Sequence, residues 1–170
     1  MTLKTNKIFP RDGLVSGANG GIIQVVQTVK TDTFTTTSVV SSGGYVDITG
    51  FSVTITPQSA SNKILIKCNI YNSNSSQVNF FRLLRGSTFI NQPDGTSSSG
   101  ASYNAHAHSY YSGSFQDNTT IELLDSPATT SATTYKVQTG TTANTCTINK
   151  FYGTSNYYGV STITAMEISA

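Results

Sequence analysis

Charge is scarce in this chain. Lys, Arg, Asp and Glu make up 11% of its 170 residues, against about 25% in an average soluble domain. Trp is absent, and there are only two His, two Cys and four Pro. Each shortage removes a class of function. A net charge of +2 is too small for a nucleic-acid footprint, so no nucleic-acid partner is expected. No CxxC spacing is present, so the cysteines do not form a zinc motif. The eight acids are scattered and supply no paired carboxylates for glycoside hydrolysis. No GxSxG elbow exposes a serine, and a Ser or Cys nucleophile would have to take its base from one short segment that holds both histidines. No apolar run reaches membrane length, and "MTLKTNKIFPRDG" lacks the apolar core of a signal peptide. A protein that is not an enzyme, with no cofactor and no membrane partner, is the expectation.

What the chain does have is Thr and Ser, 27 and 23 of them, together with nine Tyr and eight Phe. Thr, Val, Ile, Tyr and Phe favour pleated, half-buried surfaces, while the helix formers are sparse. The aromatic content is too high for a disordered composition. The length suits one domain with a real core.

Periodicity gives the same answer. "KILIKCNIY" puts Ile64, Ile66, Cys68 and Ile70 on one face and Lys63, Leu65, Lys67, Asn69 and Tyr71 on the other, the clearest period-2 signal in the chain. "YVDITGFSVTITP" alternates through Val46, Ile48, Phe51, Val53 and Ile55, with Gly50 resetting the phase as a bulge would. "VNFFRLLR" sets Val78, Phe80, Arg82 and Leu84 against Asn79, Phe81, Leu83 and Arg85. Further strands are expected in "GIIQVVQTVK", "DTFTTTSVV", "GSTFIN", "YNAHAHSYYSGSF", "TTIELLDSP", "TTYKVQTG", "TCTINKFYG" and "VSTITAMEI", with loops at "NSNSSQ" and "QPDGTSSSGAS". About ten short strands at eight-to-twelve-residue spacing predict an all-β sandwich or barrel, and two Greek keys would make it a jelly roll.

The division expected is an extended N-terminal arm over residues 1–20 and a β-sandwich of the jelly-roll type over 21–170. The arm shows no period, and Pro10, Gly13, Gly17 and Gly20 punctuate it, with Gly21 at the join. Its "GANGG" lacks the Gly-Lys-Ser/Thr of a phosphate loop and leads into a strand, which excludes a nucleotide cradle. Lys4, Lys7 and Arg11 give it positive charge, and Ile8 and Phe9 give it apolar contacts. An anchor on an acidic protein surface and a solvated tail are both consistent with that composition.

Two further constellations stand out. His106 and His108, in "AHAHS", are two apart on one strand face. Such a pair can supply two imidazoles to one metal, and the plainer reading is two polar aromatics on an exposed or interfacial strand; no metal is assigned. Tyr103, Tyr110, Tyr111, Tyr152, Tyr157 and Tyr158 fall in two segments rich in Ser, Gly and Asn. They suit either a recognition surface or a core or subunit interface. Cys68 and Cys146 read as free buried thiols, with a disulfide between core strands as the alternative.

The segments "TNKIFPRDGLVSGANGGIIQVVQ", "FFRLLRGSTFI" and "YGVSTITAMEIS" resemble small virion structural proteins of tailed bacteriophages, cyanophages in particular. The resemblance implies a jelly-roll sandwich similar to tumour-necrosis-factor or complement globular heads, assembled as a homotrimer. Such domains serve as capsid cement or decoration proteins and as tail-fibre or spike tips. The family carries no catalytic residue to transfer, and HAH is not one of its motifs. The expected role is a decoration protein on the outer surface of the capsid, bound to the major capsid protein through the arm. The alternative is a fibre tip, joined to a shaft protein and binding a host-surface receptor such as a glycan. No heptad, collagen or β-helical repeat supplies a shaft here, which favours decoration.

Overall fold

The computed structural model describes residues 20–95, 103–113, 115–153 and 156–170. They form strands β1 (Ile22–Lys30), β2 (Phe34–Thr36), β3 (Val46–Ile55), β4 (Lys63–Asn74), β5 (Val78–Arg85), β6 (Thr88–Phe89), β7 (Ala107–Tyr110), β8 (Phe115–Asp125), β9 (Thr133–Thr141), β10 (Cys146–Ile148) and β11 (Ser161–Ile168). The one helical piece among these residues is a 3-10 turn at Val40–Ser42.

The strands build an antiparallel β-sandwich. One sheet runs β1-β11-β4-β8, with the short β10 and β2 attached along the end of β4. The other runs β3-β9-β5, with β6 and β7 both on β5. The expected alternation places the core. Ile64, Ile66, Cys68 and Ile70 of β4 meet Phe81 and Leu83 of β5, Tyr135 and Val137 of β9, and Phe51, Val53 and Ile55 of β3. Each such side chain, fully withdrawn from water, contributes about 1.5–3 kcal/mol. Gly50 takes φ +73° where the β3–β9 register slips between Asp47 and Ser52, a bulge that only a residue free of Cβ strain adopts readily.

Three expectations are corrected. "NSNSSQ" is not wholly a loop: Asn72, Ser73 and Asn74 complete β4 and are fully buried. Their amides are satisfied across the sandwich. Asn79 Nδ2 donates to Asn72 Oδ1 at 3.0 Å, and Asn74 Nδ2 donates to Asn79 Oδ1 at 2.7 Å. "DTFTTTSVV" yields only the three residues of β2 before the 3-10 turn. "YNAHAHSYYSGSF" breaks into the short β7 and the start of β8. Cys68 and Cys146 are free and buried, with burial pushing both thiols up to about 12.

The sandwich has two distinct poles. At the entry pole, Gly20 N–H donates to Ser169 O and Ser169 N–H donates to Gly21 O. Ile22 pairs with Ile168, Ile168 with Lys63, and Ile64 with Asp125. Arg85 there donates to Asp125 at 2.9–3.0 Å, and the Tyr135 hydroxyl donates to the same carboxylate at 2.6 Å, tying β8 to β5 and β9. At the far pole stand the turns after β4, β7 and β10.

Candidate interaction surfaces

The far pole carries exposed rings. Tyr110 ends β7 and Phe115 begins β8, and they are 73% and 61% exposed. The loop after β10 adds Tyr157 and Tyr158, at 61% and 62%. Tyr158 bridges to Lys150, and Tyr157 packs edge-on against Phe151 with centroids 6.0 Å apart. This loop is pressed onto the sheet: a Cβ on Gly159 would lie 2.3 Å from the Tyr71 ring, so only glycine fits. Tyr152 is half-buried.

The six tyrosines therefore divide. Tyr111 is a core residue whose hydroxyl donates to Asn72 Oδ1 at 2.6 Å. Tyr103 is half-exposed and stacks on Phe80, centroids 5.5 Å apart at 17°. Tyr110, Tyr157 and Tyr158 share the far pole. Burial holds the Tyr111 hydroxyl well above its usual range, partly offset by the hydrogen bond with Ser109.

His106 and His108 flank the start of β7. His106 Nδ1 accepts the Leu83 N–H at 2.9 Å, and its Nε2 lies 2.9 Å from Ile90 O, where it donates as the neutral Nε2–H tautomer. Both ring nitrogens are thus committed to backbone. Burial lowers the His106 pKa, partly offset by the bond to Ile90. His108 is exposed and leans on Phe80, 6.0 Å between centroids. Among the described residues no group of three or more His, Cys, Asp or Glu is placed to hold a metal.

The outer face of the β3-β9-β5 sheet is covered by its own side chains. The Arg82 guanidinium lies 4.0 Å from the Tyr45 ring centroid and 5.4 Å from that of Phe89. Its Nε donates to Gln138 Oε1 at 2.8 Å, Gln138 Nε2 donates to Asp47 at 2.6 Å, and Lys136 donates to Asp47 at 2.7 Å. The Tyr45 hydroxyl donates to Asn104 O at 3.0 Å, and burial pushes its pKa to about 12. No reading of strand period singled out this cluster; the outward phase of Arg82 was legible, its aromatic partners were not.

The outer face of the β1-β11-β4-β8 sheet differs. Val25, Val29 and Leu124 are 59%, 51% and 48% exposed on it. The arm residues Lys4, Lys7, Ile8, Phe9 and Arg11 lie outside the described residues.

No protein-family model matches the chain, and no curated protein matches it. Among solved structures, the structure of infectious bursal disease virus, Gx strain, is similar at 15% identity with a TM-score of 0.43. The likeness covers 99% of this chain and 43% of that one, so this chain spans less than half of its length. A likeness of that depth establishes no shared function.

Proposed function

We propose that this chain is a structural, non-enzymatic protein of a virion surface: a homotrimeric cement or decoration protein of a tailed-phage capsid. Residues 1–20 anchor it on the major capsid protein, and the sandwich, wound as a jelly roll, projects outward. The observation that carries this reading is the bipolar layout. Gly20, through which residues 1–19 connect, is hydrogen-bonded at one pole, while the exposed rings of Tyr110, Phe115, Tyr157 and Tyr158 stand at the other. Attachment and outward display are then separated by the length of the sandwich. The quoted sequence segments that resemble phage virion proteins support the same assignment. A protein that binds only the assembled shell stabilises it by mass action.

Deleting residues 1–20 tests the reading. The truncated protein is expected to fold with an unchanged circular dichroism spectrum and to stop co-sedimenting with empty capsids; undiminished co-sedimentation would reject the arm as the anchor. A copy number near that of the major capsid protein on a virion gel is expected, and a few copies per particle would reject decoration.

The far-pole rings favour one second reading, a fibre tip that binds a host-surface receptor. Exposed Tyr and Phe beside Ser, Asn and Gln offer flat apolar faces with polar rims, which suit a sugar.

A further inference from the structure

On the side of β5 away from β9, two short strands share one edge. β7 pairs with residues 78–81 of β5, and β6 pairs with Leu84 and Arg85. Between them the ladder is interrupted at Arg82 and Leu83, and a single residue fills the gap. The His106 backbone N–H donates to Phe81 O at 2.9 Å. The His106 ring then stands in for a strand. Its Nδ1 accepts the Leu83 N–H at 2.9 Å, and its Nε2 reaches Ile90 O, one residue past β6, at 2.9 Å.

These two partners fix the state of the ring. A backbone N–H only donates and a carbonyl only accepts. Nδ1 is therefore bare and Nε2 carries the proton, which is one tautomer of the neutral form. An imidazolium donates from both nitrogens. Its Nδ1–H would face the Leu83 N–H, donor against donor, and neither would be satisfied. The surroundings do not compensate. The Phe89 ring of β6 meets the imidazole edge-on, centroids 5.0 Å apart, and the Arg82 guanidinium of β5 lies 5.4 Å from the centroid of the same ring. A charged His106 would thus bring a second cation to that ring. Arg85 of β5 is paired with Asp125, and Asp47, tied to Arg82 through Gln138, is paired with Lys136. Tyr103 and His108 lie on Phe80, the Tyr45 hydroxyl donates to Asn104 O, and Asp94 beyond β6 is exposed. Among the described residues no carboxylate bonds to the ring.

We propose that His106 is an acid-released clasp: neutral, it locks β6 and β7 onto β5, and protonated, it lets this edge of the sandwich open ahead of the rest. β6 is two residues long, and so short a ladder does not hold by itself. Ile90, 6% exposed, belongs to the hydrophobic core. Thr88, Phe89 and Ile90 form one wall of a cleft of about 440 Å³, and Leu124, Asp125 and Ser126 at the end of β8 form the other. Release of the clasp widens this cleft and admits water to Ile90 and to the edge of β5. Burial lowers the His106 pKa from 6.5, so the released ring takes up a proton before the clasped one does. The clasp is fully engaged above pH 6.5 and loses its hold as pH falls below it.

Amide hydrogen exchange of the full chain, followed by NMR at pH 7.5 and pH 5.0 and corrected for the intrinsic rates, tests this. The Leu83 and His106 amides are expected to lose protection by about tenfold at the lower pH. They are expected to exchange faster than the Ile66 amide of β4 and to ignore low concentrations of urea that accelerate Ile66, the mark of a local opening. In His106→Asn, whose side-chain oxygen can accept the Leu83 N–H without titrating, protection is expected to be the same at both pH values. Unchanged protection in the unaltered protein overturns the clasp, and so does an equal loss in His106→Asn. Exchange that follows Ile66 in urea shows global unfolding instead and overturns it as well. Should His106→Asn misfold, the ring nitrogens of the unaltered protein decide. Their titration is expected to coincide with the loss of protection, and a ring that titrates while Leu83 stays protected rejects the proposal.

Discussion

The two sheets treat their outer faces in opposite ways. On the β3-β9-β5 sheet, Arg82 lies against the Tyr45 and Phe89 rings and is tied through Gln138 to Asp47. The segment from Tyr103 to His106 lies over the β5 side of it. That face is finished by the chain itself. On the β1-β11-β4-β8 sheet, Val25, Val29 and Leu124 are left open to solvent. One composition of Thr, Val and aromatics thus serves both purposes. What separates them is how far a returning loop reaches: on the β1-β11-β4-β8 sheet the loop after β10 covers only the Tyr71 end.

This contrast yields predictions of graded size. The largest concerns the joint between the sheets. Asp125→Ala leaves the buried Tyr135 hydroxyl without its acceptor and Arg85 without its carboxylate. A loss of about 3 kcal/mol is expected, read from urea unfolding. If the loss were under about 1 kcal/mol, the joint would be ornamental. Next is the closed face. Arg82→Ala removes two aromatic contacts and one hydrogen bond, an expected loss of about 1–2 kcal/mol. Arg82→Lys is expected to recover little of it, because an ammonium cannot reproduce the planar stack. On the open face, Val25→Thr is expected to change the unfolding free energy of the dissociated monomer by less than about 0.5 kcal/mol. A larger change would mean that the residue supports the monomer itself.

The smallest effect is with pH. His106 is held neutral in the fold, and its pKa is lowered from 6.5, first by burial. Below 6.5 the unfolded chain takes up a proton that the folded chain resists. Stability is therefore fully present above that pH and declines as pH falls through 6.5 toward the lower folded value. Melting temperatures measured from pH 8 to pH 5 are expected to fall for the unaltered protein and to fall less for His106→Gln. Equal slopes would show that His106 is not the group responsible.

Much of the fold was legible in the sequence because alternation in β4, β5 and β3 reports which residues face the core. Ile64, Phe81 and Val53 are buried where period 2 puts them. The polar part of the core was not legible. Asn72, Asn74 and Asn79 look like solvent residues until the opposite sheet supplies their partners. Glu167 is fully buried because the Gln58 N–H and Asn62 Nδ2 donate to it at 2.7 and 2.6 Å. Lys30 is buried because Asp32 and Thr49 O accept from it, each at 2.7 Å. These partners are far apart in the chain or unremarkable in type, so no local pattern announces them. The tyrosines were legible as a set but not as individuals. Nothing in "SYYSG" tells that Tyr110 points outward and Tyr111 inward except strand phase, and the strand there is only four residues long.

The join at Gly20 has a mechanical side. Gly20 leads straight into β1, and β1 is held to β11 along its length, from Ile22↔Ile168 to Lys30↔Ser161. Antiparallel ladder bonds lie perpendicular to the strands. A tug on residue 20 directed away from the entry pole pulls β1 lengthwise. It loads those bonds together in shear instead of peeling them one at a time. A tether fixed at this point resists sudden force far better than the same tether fixed at the end of a hairpin.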